Sequence, residues 1–431
     1  MQIEITGLNH SGEGVGRYEG KVYFVPFTVP GDLVEVEPGK QARRFGYARL
    51  KEVIRPSPDR VTPLCEHMER CGGSNLHHIS YPVQLKLKRK LVNDALQRIG
   101  NLRDVRVLPT IGMKNPYHYR NKAVFHVQTD LFAIGFYQTG SHTVIPVRDC
   151  LIVPPEWGEI LTFLETSLRE LGPSANDLSQ VTLRQSHHNR EIMLVLSGRN
   201  KVLRGPEWDG IAREIRRRFQ QVSTVASSNR FDEARVLSGK GVLIERLAGF
   251  EFAISPAAFF QVNTVMAEVL VQKVMEYGMP TAGDTVIDAY CGIGTFSMPL
   301  AAKAGKVIGI EQNPAAVKDA RRNAASNEIN NVEFISGDFE KVLTQLAPSL
   351  KGVDLLVVDP PRKGLTAAIL QSIVKIKPHR MVYVSCNPGT LARDLSSLVT
   401  NGYKINEVQP VDMFPHTAHV ECVVLITRVK D

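Results

Sequence analysis

The chain has 431 residues, 43% of them hydrophobic and 22% charged, a length and balance that fit two or three globular domains with a sizeable core and exclude wholesale disorder. Its formal charge of +8 and pI of about 9.1 point to a polyanionic partner such as RNA or DNA. No apolar run approaches the roughly 20 residues that span a bilayer, and the N-terminal MQIEITGLNHSG carries no apolar signal segment, so a cytoplasmic protein without membrane contact is expected.

Residues 1 to 55 alternate in short runs (MQIEITGL, KVYFVPF, DLVEVEPG, YARLKEVI) separated by Gly and Pro clusters, which predicts a small all-β unit. SGEGVGRYEGK lies between two of these runs and lacks the following helix of a phosphate-binding loop, so it reads as a turn connection. PSPDRVTP follows as a linker. Residues 61–95 form a Cys/Gly/His-rich loop and then a basic amphipathic helix. Residues 105–250 alternate β-like runs with one or two helical patterns, predicting a separate, mostly antiparallel domain. Cysteines are reduced in the cytoplasm, where a cluster of them serves a metal or catalysis rather than disulfides.

From about residue 255 apolar runs alternate with turns and helical patterns: TVIDAYCGIGTFSMPLA, KVIGIEQNPAAVKDA, VEFISGDFEKVLTQL, VDLLVVDPPRKGL and RMVYVSCNPGTLARDL. Strands such as VDLLVVD are apolar on both faces, as in a parallel sheet covered by helices on both sides. A doubly wound α/β sheet is therefore expected, with ligands at the C-terminal ends of its strands. YKINEVQPVDMF and HVECVVLITRV have no helix between them and read as an antiparallel pair closing the sheet.

The first of these strands ends in Asp288 and Tyr290, followed by Gly292 and Gly294, where glycines allow a ligand close to the backbone. The second ends in Glu311, placed to bind both ribose hydroxyls, and the third in Asp338, suited to an adenine edge. This is a nucleoside-cofactor layout. GxG rather than GxGxxG, with an acid before it, favours S-adenosylmethionine over a dinucleotide. Asp359 opens DPPRKGL at the fourth strand end, which lacks the Asn and the aromatic residue of many amino-group methyltransferases.

Cys386, in VSCNP, ends the fifth strand beside the cofactor. Its plainer reading is a buried, inert thiol; its chemical reading is a nucleophile. Carbon 5 of a pyrimidine is too weak a nucleophile to take a methyl group from a sulfonium. Thiolate addition at carbon 6 creates an enolate whose carbon 5 is reactive. A general base must then remove the carbon 5 proton, and Glu421, opening an apolar strand after FPHTAHV, is the candidate. Asp359 or Arg362 is placed to hydrogen-bond the uracil edge and stabilise the enolate. The target base must be flipped or presented in a loop, and Phe259 or Phe260 in SPAAFFQVN is available to stack on it.

DAYCGIGTFSMPLA, DPPRKGL, VSCNPGTLARDL and FPHTAHVE together resemble the RNA uracil-5 methyltransferases, over essentially the whole chain. The resemblance implies an N-terminal TRAM domain (1–57), an OB-like RNA-binding barrel. A central, mostly β RNA-binding domain (58–253) follows, with a Cys-rich loop at 65–74, and then a Rossmann-like class I S-adenosylmethionine-dependent methyltransferase domain (254–431). It implies Cys386 as nucleophile, Glu421 as base and Asp359 as a uracil contact. Gln261, Tyr290, Glu311 and Asp338 fall on cofactor positions, Phe259 on the position against the target base, and Arg120, Asn121 and Lys122 on the RNA-facing central segment. TRAM-containing relatives act mainly on 23S ribosomal RNA, others on the T-loop uridine of transfer RNA; 23S rRNA is the expected substrate, and a monomer the expected state. Such relatives carry four cysteines for an iron–sulfur cluster. Here Cys65, Cys71 and Cys150 match, but Ser74 occupies the third place, and serine is a poor ligand for iron beside thiolates. Two competing readings are an RNA cytosine-5 methyltransferase, which typically has a further cysteine in the fourth-strand motif, and a non-catalytic RNA-binding or assembly factor.

Overall fold

A computed structural model describes residues 1–229, 233–346 and 352–429. The first five strands, β1 (Gln2–Leu8), β2 (Gly14–Tyr18), β3 (Lys21–Val25), β4 (Leu33–Gln41) and β5 (Phe45–Arg55), close into a barrel in the order β1-β2-β3-β5-β4. Period-two alternation sends Ile3, Ile5, Tyr23, Val25, Val34 and Val36 into its core. Residues 9–13 make the β1–β2 connection; GVGR, expected to belong to it, lies in β2 instead, where its glycines serve closure. A Cβ on Gly16 would lie 2.2 Å from the Ile3 side chain, and one on Gly14 1.9 Å from the Thr28 hydroxyl.

Helix α1 (Tyr81–Arg98) follows, then strands β6 (Lys122–Gln128), β7 (Ala133–Tyr137) and β8 (Val144–Pro146). Next come α2 (Trp157–Leu171), β9 (Leu178–Gln185), β10 (Ile192–Gly198), α3 (Pro206–Arg218), β11 (Val222–Ser228) and β12 (Ala234–Gly239). These seven strands form one sheet in the order β12-β11-β10-β9-β6-β7-β8. All its pairings are antiparallel except β10 with β11, where α3 supplies the crossover that a parallel pair needs. β13 (Leu243–Leu247) and β14 (Phe250–Ile254) form a hairpin.

The remaining chain runs α4 (Thr264–Gly278), β15 (Thr285–Ala289), α5 (Ser297–Ala301), β16 (Lys306–Glu311), α6 (Pro314–Ser326), β17 (Val332–Ser336) and α7 (Phe339–Leu346). It continues with β18 (Leu355–Val358), α8 (Ala367–Ile376), β19 (Arg380–Ser385), α9 (Pro388–Thr400), β20 (Tyr403–Val411) and β21 (Glu421–Arg428). The sheet order is β17-β16-β15-β18-β19-β21-β20, with β15 to β19 parallel and β21 antiparallel to both neighbours. This is the doubly wound sheet expected from the sequence, and the last two strands close it as an antiparallel pair. In this sheet two Asn-Pro pairs, Asn313-Pro314 and Asn387-Pro388, each start a helix directly after a strand. The side chains of Asn313 and Asn387 accept the first free backbone N–H groups of α6 and α9, and a proline takes the first helical position.

Although α1 precedes the central sheet in sequence, it packs on the catalytic sheet. Val92 and Leu96 join the core beneath β19 and β21, and Val107 pairs with Val408 of β20. Its run of basic residues is not one solvated face. Lys88 is buried and ion-paired with buried Asp412 at 2.5 Å, Arg89 donates to the Val107 carbonyl, and Lys90 pairs with Asp94. Tyr81 donates to the second Asp412 oxygen, and Lys88 also donates to Phe414 O. Removing one partner of such a buried pair strands the other charge. Lys88→Met should therefore lower the stability of the chain by about 3–5 kcal/mol, read as the urea midpoint; a change below 1 kcal/mol, the range of exposed pairs, contradicts a buried ion pair.

Candidate active site

The C-terminal ends of β15, β16, β18 and β19 open on one cavity of about 1380 Å³. Of the residues singled out in the sequence, it is lined by Arg120, Lys122, Phe259, Gln261, Tyr290, Gly292, Glu311, Asp359, Arg362, Cys386 and Glu421. Residues separated by up to three hundred positions thus converge, because parallel strands end at the same edge and β21 returns beside β19 to bring Glu421 next to Cys386. Backbone conformation marks the same edge. Tyr290 and His416 both hold positive φ without being glycine (64° and 63°), an uncommon arrangement that concentrates at functional sites.

Gly292 has φ 57°, and a Cβ there would meet nothing, so its missing side chain leaves the cavity open against the backbone. Its N–H donates to one Glu311 oxygen, and the Asn313 N–H to the other, which fixes the carboxylate at the cavity wall. Asp288, by contrast, is fully buried behind the strand end. One oxygen accepts from the Ser297 hydroxyl and the other has no partner in the protein. Gly294 is also buried, against Met298 and Phe334. Asp338 is exposed beyond β17 and caps the first turn of α7 through Lys341 N. None of these three lines the cavity. Asn121 is likewise buried. Its Nδ2 donates to the Gln261 carbonyl and to Thr264, so it holds Gln261 in place rather than reaching towards RNA.

Two acids, Asp359 and Glu421, and the Cys386 thiol share the inner wall, with Asp288 buried behind it. Burial pushes the Asp288 and Asp359 carboxyls each up to about 7. Burial pushes Glu421 up to about 8, with the charge of Asp359 adding and that of Arg362 opposing. Burial likewise raises the Cys386 thiol to about 11, with Glu421 and Asp359 adding and Arg362 again opposing. The ligand-free site is a proton-rich pocket, and Arg362 favours the ionised forms of both Cys386 and Glu421. Its loop is clamped to the start of α9, because the Arg362 carbonyl accepts from Asn387 Nδ2 and Thr390 Oγ1. Its guanidinium lies 3.1 Å from the His419 ring, two residues before Glu421.

The segment leading to Glu421 is gripped by the central part of the chain. Gln84 bonds both the N–H and Nδ1 of His416, Asn75 N and Leu76 N donate to His416 O, and Tyr119 donates to Pro415 O. The His416 ring stacks against both His77 (4.3 Å) and Tyr117 (4.8 Å). Sequence reasoning missed this grip, since no local pattern pairs a helix near residue 84 with a turn near 416. It also missed His126 and Tyr137 on the outer cavity wall, although Lys122, Val124 and His126 show the period-two signal.

The cysteine loop does not fit the cluster that the resemblance implies. The Cys65, Cys71 and Cys150 thiols lie in one corner, and burial raises all three, Cys150 to about 11. Ser74 Oγ is bonded to His77 at 2.9 Å. Among the described residues no group of three or more His, Cys, Asp or Glu side chains is arranged to hold a metal. Direct contacts order the loop instead: Gly73 N to Cys71 Sγ, Thr139 N to Arg70 O, and a bridge between Cys71 and Gln138.

Residues 80–429 match the family model for tRNA (uracil-5-)-methyltransferases. The chain belongs to that family. Residues 1–58 match the TRAM domain of tRNA (uracil(54)-C(5))-methyltransferase, as expected of the barrel. A Bacillus cereus protein named an RNA methyltransferase is 41% identical over 447 residues, covering 100% of this chain and 97% of the relative. Another of that name from Thermosynechococcus vestitus is 38% identical, covering 99% and 98%. The crystal structure of the Pyrococcus abyssi tRNA (uracil-54, C5)-methyltransferase with S-adenosyl-L-homocysteine superposes with a TM-score of 0.77 at 29% identity, covering 99% of this chain and 100% of that one. The protein is thus an RNA methyltransferase of the S-adenosylmethionine-dependent fold. No helix among the described residues is long and apolar enough to cross a membrane.

A carboxyl whose pKa rises on folding keeps a proton that the unfolded chain has lost. Stability then falls as pH climbs from the ordinary carboxylate range to the folded pKa. Buried His77 and His419 (about 4) and His416 (about 3) act in the opposite sense, but only below their ordinary value of 6.5. Between pH 6.5 and 8 the urea midpoint of the ligand-free protein should therefore fall. Glu421→Gln should reduce that fall by about 1–2 kcal/mol; identical pH slopes for the two proteins contradict a protonated buried Glu421.

Proposed function

We propose that the protein methylates carbon 5 of a uridine in 23S ribosomal RNA by covalent catalysis at Cys386. The juxtaposition of Cys386 and Glu421 on adjacent strands, at the wall of a cofactor-sized cavity, carries this reading. S-adenosylmethionine, when bound, supplies the methyl group as a sulfonium electrophile. The orphaned buried Asp288 oxygen, the open face of Gly292 and the fixed Glu311 carboxylate fit a nucleoside cofactor there. In this reading Gln261, Tyr290, Gly292 and Glu311 hold it, with Asp338 at the adenine end and Asp288 and Gly294 shaping the loop.

Phe259 is 63% exposed at the cavity and packs against the extruded uracil. The Cys386 thiolate adds to carbon 6, moving the ring electron pair towards O4. A protonated Asp359, favoured by burial, and the Arg362 guanidinium stabilise that enolate. Carbon 5 then takes the methyl group. Glu421, as carboxylate, removes the carbon 5 proton, the carbon 5–carbon 6 double bond re-forms, and the Cys386 thiolate leaves. DPPRKGL holds no second cysteine to expel a cytosine adduct, which favours uracil, and retention of both Cys386 and Glu421 argues against a non-catalytic binding factor. The reaction places the protein with soluble cytoplasmic RNA.

A second reading, the T-loop uridine of transfer RNA, is favoured by the full-length likeness to the P. abyssi enzyme. The barrel does not separate the two substrates, because its matching model is that of a transfer-RNA enzyme. The mechanism is tested with RNA carrying 5-fluorouridine at the target, where the fluorine cannot be removed by a base. Wild-type protein with cofactor should form a denaturation-resistant RNA adduct, and Cys386→Ala none. Glu421→Gln should form the same adduct with ordinary RNA. An adduct retained by Cys386→Ala contradicts the assignment of the nucleophile.

A further inference from the structure

The cavity, about 1380 Å³, extends beyond the catalytic wall to residues of the central domain. Its outer part is built on β6. Along this strand Ala123, Phe125 and Val127 are buried in the central core, while Lys122, Val124 and His126 face the cavity, the two-residue alternation of a strand with one solvated side. The strand begins at the catalytic centre, where the Asn121 N–H and Nδ2 donate to the Val262 and Gln261 carbonyls. At about 3.3 Å per residue, the outward face runs about 13 Å from Lys122 to His126. At its far end the His126 ring lies flat on Tyr137 of β7, with centroids 3.5 Å apart and planes 12° from parallel. A cation, an apolar side chain 37% exposed (Val124) and a two-ring platform therefore follow one another away from Cys386. The proposed methyl transfer uses none of the three.

We infer that the outer face of β6, ending on the His126–Tyr137 pair, is a stacking track for the unpaired RNA nucleotides next to the target uridine. The inference rests on the proposed RNA reaction and extends it to the flanking sequence. Grooves that combine cations with aromatic faces hold single strands, because every base offers a π-face, whereas bases within a duplex are already stacked on one another. The continuity of the track with the catalytic wall makes its occupant the same RNA strand. The target uridine then lies in a loop or bulge whose neighbour is also splayed out.

The test is a binding cycle that needs no turnover. Dissociation constants are measured for wild type and the His126→Ala/Tyr137→Ala protein, each with the parent RNA and with RNAs made abasic one at a time at the nucleotides flanking the target. The double variant should bind the parent RNA roughly five- to hundred-fold more weakly, the range of one lost stacking contact. One abasic site should weaken wild type by a similar factor and cost the double variant nothing further. Tyr137→Phe, which keeps the ring, should bind like wild type, and cofactor affinity should be unchanged throughout. Equal affinity of variant and wild type, or effects that multiply for every abasic position, overturn the inference. The uracil reaction is scored separately as 5-methyluridine formed by wild type on the parent RNA, so its failure is distinguishable from failure of the track.

Discussion

The buried ion pair between Lys88 and Asp412 fixes the geometry on which the proposed chemistry depends. Asp412 ends the approach to the turn that delivers Glu421, and Lys88 sits on a helix more than three hundred residues earlier in the chain. Taking both charges out of water is costly unless each finds partners, and here each does: Tyr81 on the second Asp412 oxygen and the Phe414 carbonyl on Lys88. The contacts of Gln84, Asn75, Leu76, His77 and Tyr117 with His416 extend the same grip by four residues. Glu421, the proposed base, is thus held by a surface outside the catalytic sheet. A helix that precedes the central domain in sequence is a structural part of the active site.

That rigidity lets burial set the protonation of the site. Asp288, Asp359, Glu421 and Cys386 are all pushed towards their neutral forms in one small volume. Burial of this kind disfavours the Cys386 thiolate at rest. Arg362 is the protein cation that works against this for both Cys386 and Glu421, and its loop is tied to the cap of the helix that follows Cys386. Ionisation of Cys386 and of Glu421 is in this way joined to the position of one guanidinium.

The catalytic half was highly legible in the sequence. Apolar strands followed by Asp288, Glu311, Asp359 and Cys386 fixed the topology by local rules, and parallel-sheet geometry then brought those residues to one edge. The barrel strands were legible from period two. What escaped is non-local. Nothing adjacent to Lys88 distinguishes it from Lys86 or Lys90, and only the tertiary fold shows that it is buried while its neighbours meet solvent. Asn121 sits in a segment expected to face RNA, yet strand alternation turns it inward onto Gln261. The parallel β10–β11 pair depends on α3 folding back as a crossover, which a string of short β-like runs does not reveal. The resemblance implied a cluster at Cys65, Cys71 and Cys150, whereas Ser74, at the third-ligand place, bonds to His77, and no group of three or more ligating side chains is arranged for a metal among the described residues.

The central claim is that this site methylates carbon 5 of uridine, and nucleoside mass spectrometry tests it most directly. Purified protein and isotopically labelled S-adenosylmethionine are incubated separately with unmodified 23S ribosomal RNA and transfer RNA transcripts, and the digests are separated by mass. The account predicts label in 5-methyluridine, from the ribosomal transcript for the first reading and from the transfer-RNA transcript for the second. Label in 5-methylcytidine, or in neither pyrimidine, would contradict it.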